Sequence, residues 1–187
     1  MKPEPKRHFG TAGLVLCRIV LLITICAVFG GCWLFKRGEK PSSLSDLPYF
    51  RKALDKTSLR DDVRGKVILV EFWSRLCSKC GEIAPVIQRL QDIYRDEGFI
   101  VISVNQDGAE SESLVREYML SKGANYSVIF DESGRISDEF RVTNGIPALY
   151  LFNAGGRLIE AEIDINDPEK IERLDGLIRE ALKRRNR

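Results

Sequence analysis

Two cysteines three positions apart, Cys77 and Cys80, form a C-x-x-C pair just after an apolar, strand-like run that ends at Trp73. A cysteine at the first turn of a helix lies beside unpaired backbone N–H groups and the positive end of the helix dipole, which favour a thiolate. Lys79 adds a positive charge inside the motif. Because the thiolate is the nucleophile, Cys77 is predicted to attack a disulfide and Cys80 to resolve the resulting mixed disulfide.

The alternative for this pair is an inert cross-link or two buried thiols. A disulfide across so few residues removes little chain entropy from the unfolded state, so it would stabilise the fold poorly. Thiol–disulfide exchange is therefore the favoured chemistry, and protein thiols or disulfides are the expected partners.

Glu71 interrupts the apolar strand that precedes the dithiol. Strand alternation points its side chain to one face only. If that face is buried, desolvation should raise the pKa of the carboxyl group, which would then exchange a proton with Cys80. The alternative places Glu71 at a solvated or edge position.

A Gly145-Ile146-Pro147 tripeptide stands immediately before a second apolar run. A proline at such a position is expected to lie against the dithiol. Two further residues have two interpretations each. Trp73 either shapes the substrate surface or packs in the core, and Lys79 either contacts the substrate or is a solvated charge.

The elements that must position these residues alternate between strands and helices. Continuous apolar runs indicate buried strands, and apolar residues at helical spacing predict helices. An Asn-to-Gly turn between two apolar runs indicates a hairpin, and Asp167-Pro168 is typical of a helix start. The predicted strands are 66–73, 99–105, 126–131, 148–152 and 158–163, with helices at 77–96, 110–121, 136–140 and from 168 onward. Residues 49–64 are predicted to form a short helix or an edge strand.

This order predicts an α/β fold, a mixed sheet with parallel central strands and an antiparallel hairpin at one edge, covered by helices.

The chain has 187 residues, 44% of them hydrophobic, with a net charge of +2, so no electrostatic argument favours nucleic acid. Zinc needs about four ligands, usually Cys or His. The dithiol and the single histidine, His8, cannot supply them. We therefore expect no metal and no cofactor.

Residues 1–37 are predicted to be a membrane-targeting segment, because basic residues precede the uncharged apolar run 19–35. An uncleaved signal anchor is favoured. A lipoprotein signal is the second interpretation, because Phe29-Gly30-Gly31-Cys32 resembles a lipobox with Cys32 as the lipidated residue. A fully cleaved secretory peptide is the third. The first two place a domain at 49–187 on the extracytoplasmic (periplasmic) face of a membrane, behind a linker at 38–48.

The run from Val70 to Cys80, followed by Gly145-Ile146-Pro147, resembles the thioredoxin superfamily, in particular its TlpA-like and ResA-like membrane-tethered branch. The similarity runs over about residues 44–182. It implies a thioredoxin-like fold, a cis bond before Pro147, and pairing of the Ile146 carbonyl and amide with the substrate backbone. Glu71 matches the buried acid of thioredoxin, and Pro85 matches its helix-kinking proline.

These inferences favour an extracytoplasmic reductant that acts in cell redox homeostasis or cytochrome c biogenesis. Apocytochrome c or other oxidised thiol proteins are the expected partners, with a membrane electron donor. A disulfide-forming oxidant of the same fold is the alternative, and a redox-silent adaptor is the alternative from another functional class. A peroxidase of the peroxiredoxin kind is disfavoured, because Val70 stands where its proline is needed.

Overall fold

The structure is a computed structural model of the chain, and it describes residues 39–57, 59–108 and 112–185. The predicted membrane-targeting segment at 1–37, with Cys32, lies outside these residues. None of the helices in the described ranges is both long and apolar enough to cross a bilayer.

A single mixed sheet of five strands forms the centre of the domain, in the order β3-β2-β1-β4-β5. β1, β2 and β3 are parallel, β4 is antiparallel to β1, and β5 is antiparallel to β4. The predicted α/β fold with its antiparallel hairpin is therefore confirmed. The strands are β1 (Val67–Trp73), β2 (Phe99–Asn105), β3 (Ser127–Phe130), β4 (Ala148–Phe152) and β5 (Leu158–Ile163).

Helices cover both faces of this sheet. Those of the described chain are α1 (Pro48–Asp55), α2 (Leu59–Asp62), α3 (Ser78–Tyr94), α4 (Glu112–Ser121), α5 (Arg135–Phe140) and α6 (Pro168–Arg185). The region 49–64 is thus helical, and its edge-strand alternative is wrong. α6 begins as predicted, because Asp167 Oδ1 accepts the Lys170 N–H at 3.0 Å and Pro168 is the first helical residue.

β1 is buried along its whole length because it lies in the centre of the sheet with helices on both sides. Its side chains alternate between two packed layers. Leu69 and Trp73 pack with α3, α4 and α6, on what we call the α3 face of the sheet. Val70 and Phe72 pack with α1 and α5, on the α1 face.

Aromatic rings fill the layer on the α1 face. The ring of Phe140 in α5 makes edge-on contacts with Phe50, Phe72, Tyr150 and Phe152, at centroid distances of 4.8 to 6.0 Å. Such contacts add to the free energy gained by burial alone. The cluster fixes β1 against β4. β1 ends shortly before the dithiol, and β4 begins directly after Pro147.

Part of the predicted linker at 38–48 packs on the domain. Ser43 forms an isolated β-bridge with Arg157 beside β5, and its side chain caps a short 3-10 helix, Leu44–Asp46. Leu47 is fully buried on the α1 face. The chain therefore enters the domain along the β5 edge of the sheet.

Strand direction brings distant parts of the sequence to one edge. β1 and β2 end there, with Trp73 beside Asn105. β4 runs antiparallel to β1, so its first residue, Ala148, pairs with Phe72 near the end of β1. Cys77, just after β1, and Pro147, just before β4, consequently lie at the same edge.

Candidate active site

Cys77 and Cys80 form a disulfide, with an S–S distance of 2.12 Å and a Cα–Cα distance of 5.3 Å. Cys77 is the N-cap residue of α3, and its Sγ accepts the backbone N–H of Cys80 at 3.1 Å. This is the site at which a helix stabilises an anion, so the thiolate of Cys77 is favoured once the disulfide is reduced. Cys77 is partly exposed, whereas Cys80 is 2% exposed. Cys77 is therefore the more accessible cysteine of the pair.

The segment before β4 lies against the outer sulfur. The Ile146–Pro147 peptide bond is cis, as the resemblance implied. The carbonyl oxygen of Ile146 lies 3.6 Å from Cys77 Sγ. Ile146 and Pro147 are both partly exposed. The structure thus places a partly exposed backbone edge directly beside the sulfur of Cys77.

Glu71 is buried on the α3 face, and its exposed fraction is 1%. Its solvated or edge alternative is therefore wrong. Burial raises the pKa of the Glu71 carboxyl to about 7, against an opposing hydrogen bond from Tyr126. The Tyr126 hydroxyl donates to Glu71 Oε2 at 2.8 Å. Ser103 stands in register with Glu71 on β2, and its buried hydroxyl has no hydrogen-bond partner among the described residues. The carboxyl group can therefore exchange a proton near neutral pH.

Trp73 and Lys79, the other predicted substrate contacts, differ in their surroundings. Trp73 is buried and stacks on Tyr118 of α4, with ring centroids 5.9 Å apart, whereas Lys79 is exposed. The Tyr118 hydroxyl lies only 2.7 Å from where a side chain on Gly81 would begin. The glycine after Cys80 thus lets α4 approach the dithiol helix.

Asp107, just after β2, holds the loop that leads to the dithiol. Its carboxylate accepts the backbone N–H of Arg75 at 3.0 and 3.1 Å, the Ser74 hydroxyl, and the Asn105 amide at 2.8 Å. Burial alone would raise the pKa of Asp107, but the hydrogen bonds from Asn105 and Ser74 outweigh it and lower the pKa. Sequence reasoning missed this residue. The sequence signal that could have identified Asp107 is a carboxylate just after β2. Because β2 is parallel to β1, the carboxyl ends of both strands lie at the edge where Cys77 follows β1.

Leu76 was also missed as a site residue. It directly precedes Cys77, and its apolar side chain is 92% exposed. A groove of about 820 Å³ lies beside α3, between Lys79 and Val86 of that helix and the segments 144–148 and 162–168. The groove shares Ile146 and Pro147 with the site, and Leu76 exposes an apolar side chain next to Cys77.

No group of three or more potential metal ligands occurs within the described ranges. An accessible sulfur at a helix N-terminus beside a buried second sulfur is an arrangement suited to disulfide exchange.

The fold and this site together define a thioredoxin-like thiol–disulfide oxidoreductase. The chain belongs to the AhpC/TSA family, whose sequence model matches residues 46–161. This match, together with the similarity to several ResA proteins, confirms the resemblance to the thioredoxin superfamily and its ResA-like branch.

Relatives and solved structures agree with this assignment. The chain is 27% identical over 147 residues to thiol-disulfide oxidoreductase ResA of Bacillus subtilis, covering 75% of this chain and 79% of that protein. It is 23% identical to ResA of Bacillus cereus, covering 84% of this chain and 92% of that protein. A crystal structure described as the thiol:disulfide interchange protein DsbE from Chlorobium tepidum superposes with a TM-score of 0.58 at 26% identity, covering 65% of this chain and 84% of that one.

Proposed function

We propose that this protein is a membrane-tethered, extracytoplasmic reductant of protein disulfides, with Cys77 as nucleophile and Cys80 as resolving thiol. One observation carries the proposal. Cys77 is partly exposed at the N-terminus of α3, its Sγ accepts a backbone N–H and lies 3.6 Å from the Ile146 carbonyl, and Cys80 is buried. The predicted targeting segment at 1–37 supports the tether and the extracytoplasmic side.

The reaction balances as two successive exchanges. The Cys77 thiolate attacks one sulfur of the partner's disulfide, forms a mixed disulfide and releases the first partner thiolate, which takes up a proton. Cys80 then loses its proton and attacks Cys77 Sγ, which releases the second partner thiolate. Two electrons have passed to the partner, and the Cys77–Cys80 disulfide is the end state. A membrane electron donor must then return two electrons to the dithiol.

Glu71, the buried acid on the α3 face, supports the direction of electron flow. Glu71 lies on the α3 face, the face of the sheet against which Cys80 is packed. Ionised, it would oppose a second negative charge on Cys80 and so favour the disulfide over the thiolate. With a pKa of about 7, the neutral and ionised forms coexist near neutral pH, so Glu71 can take the proton that Cys80 releases. The first effect suits a reductant, whereas the proton transfer assists exchange in either direction.

The reduction potential of the full chain tests the direction. The protein is equilibrated with thiol–disulfide buffers of graded potential, and free thiols at Cys77 and Cys80 are alkylated and counted by mass. A two-electron couple near or below about −250 mV supports a reductant, whereas one at about −120 to −180 mV indicates an oxidant or isomerase. If the dithiol shows no reversible redox couple, the redox-silent adaptor is the interpretation that fits.

The nucleophile and the partner are tested with two variants. Cys77→Ser should abolish exchange, and a variant that retains it contradicts the proposed roles. Cys80→Ser should arrest the reaction at the mixed disulfide, so that the bound partner can be identified. Recovery of apocytochrome c would support cytochrome c biogenesis. A membrane-impermeant maleimide should label Cys77 in intact spheroplasts if the domain is extracytoplasmic.

A further inference from the structure

Glu162, near the end of β5, has an unusual backbone for its residue type. Its φ is +49°, in the left-handed region that non-glycine residues rarely adopt. It lies where β5 has one more residue than β4, between the pairs Leu149–Ile163 and Leu151–Glu160. Such a bulge redirects a side chain out of the regular strand pattern. At this position, the carboxylate turns to the segment before Pro147.

The Glu162 carboxylate binds that segment through backbone and side chain. Glu162 Oε1 accepts the N–H of Thr143 at 2.9 Å and that of Asn144 at 3.3 Å, and Oε2 accepts the Asn144 amide at 2.6 Å. Burial alone would raise the pKa of Glu162, but hydrogen bonds from Lys40, Thr143 and Asn144 outweigh it and lower the pKa. The group is therefore an anion held by several donors at once.

Lys40, near the start of the described chain, binds both Glu162 and the segment before Pro147. Its Nζ lies 2.7 Å from Glu162 Oε1 and 3.3 Å from Thr143 Oγ1, and it also donates to the Arg141 carbonyl. It lies 5.8 Å from the centroid of the Tyr150 ring in β4. Lys40 and Glu162 thus hold the segment from 141 to 144 between them.

The clamped segment leads directly into the site. Two residues after Asn144, the Ile146 carbonyl lies 3.6 Å from Cys77 Sγ. We propose that Glu162 is a positioning residue for disulfide exchange, which holds this segment so that the Ile146 backbone edge receives a polypeptide partner beside Cys77. The inference rests on the proposed attack by Cys77.

Kinetics with two oxidised substrates test this role. The reduced full chain is mixed with insulin, whose backbone can pair with Ile146, and with hydroxyethyl disulfide, which has no backbone to pair. Glu162→Gln should lower the second-order rate constant for insulin about tenfold, the effect of losing one hydrogen bond to a charged group. The rate with hydroxyethyl disulfide should change by less than about twofold, because the N-cap of Cys77 is untouched.

Glu160→Gln is the matched control. It removes the same charge from the same strand, where Glu160 pairs with Arg173 instead of the 141–144 segment. It should leave both rate constants unchanged. Lys40→Met keeps the alkyl chain but removes the charge, so it should slow insulin reduction in the same direction as Glu162→Gln. The proposal is overturned if Glu162→Gln reduces insulin as fast as Glu160→Gln does, or if it slows both substrates equally.

Hydrogen exchange supplies a readout that does not depend on activity. The Thr143 and Asn144 amides should exchange faster in Glu162→Gln than in Glu160→Gln, and equal protection would contradict the clamp. Cys77→Ser separates the two proposals. If it retains insulin reduction, the proposed function fails, whereas an unaffected Glu162→Gln with an inactive Cys77→Ser refutes only the positioning role.

Discussion

Replacing Glu71 by glutamine should change how the stability of the oxidised protein depends on pH. The amide has nearly the shape of the carboxyl group, and its oxygen can still accept the Tyr126 hydroxyl that lies 2.8 Å from Glu71 Oε2. It carries no charge at any pH. The substitution therefore removes one titration from the folded core and leaves the packing on the α3 face in place.

The pKa values determine the sign and size of the effect. Burial raises the pKa of Glu71 from 4.5 to about 7. Between these values the unfolded chain ionises first and the folded protein binds more protons, so its stability falls as pH rises. At about 1.4 kcal/mol per pH unit, the whole loss is about 3 kcal/mol, complete above about pH 7. Glu71→Gln lacks this loss.

The assay is urea unfolding of the full chain in detergent from about pH 4 to about pH 8, with the Cys77–Cys80 disulfide intact so that neither thiol titrates. The stability of Glu71→Gln relative to wild type should increase by about 3 kcal/mol across this range. Glu82→Gln, which removes an exposed carboxylate, controls for the lost charge. A difference between Glu71→Gln and wild type that stays constant with pH would falsify the assignment of Glu71 as a buried acid.

Two further substitutions test the surroundings of the dithiol. Asp107→Asn should lower the free energy of unfolding at neutral pH by about 1–3 kcal/mol, because the loop before the dithiol loses a charged acceptor. This stabilisation is present above the ordinary pKa of 3.8 and disappears as pH falls through the lower folded-state pKa, so the two proteins should converge in acid. Gly81→Ala places a methyl group 2.7 Å from the Tyr118 hydroxyl, which must shift to make room, so this substitution should not stabilise the protein. Gly176→Ala, in α6 with nothing within 4 Å, should instead stabilise it by about 0.4–1 kcal/mol. Chemical unfolding measures all three, and equal effects of the two alanines would contradict the contact with α4.

Local patterns in the sequence predicted most of the elements. The run 66–73 is apolar on both faces, which a central strand covered by helices requires, and β1 is that strand. Asp167-Pro168 is a short-range capping signal, and α6 begins at Pro168. These signals work because helix starts and buried strands depend on residues close together in the chain.

Local sequence patterns could not decide between the two interpretations of residues 49–64 or of Glu71. Residues 49–64 were compatible with a helix or an edge strand, and only packing of Phe50 and Leu54 against the α1 face selects the helix. Glu71 was compatible with burial or solvation, because a charge in an apolar strand is tolerated at an edge. The central position of β1 in the sheet, flanked by β2 and β4, decides for burial.

The sequence by itself determined the reactive pair, since a helix start and a two-residue gap place Cys77 at the N-cap and Cys80 one turn away. Only the tertiary structure decided what surrounds them. Asp107, Tyr126 and Glu162 bind Ser74, Glu71 and Asn144, which lie 18 to 55 residues away in the chain. Those distances close only when the strands adopt their order and register. A hydrogen bond across a sheet depends on which strands are neighbours, and no local pattern of residues encodes that.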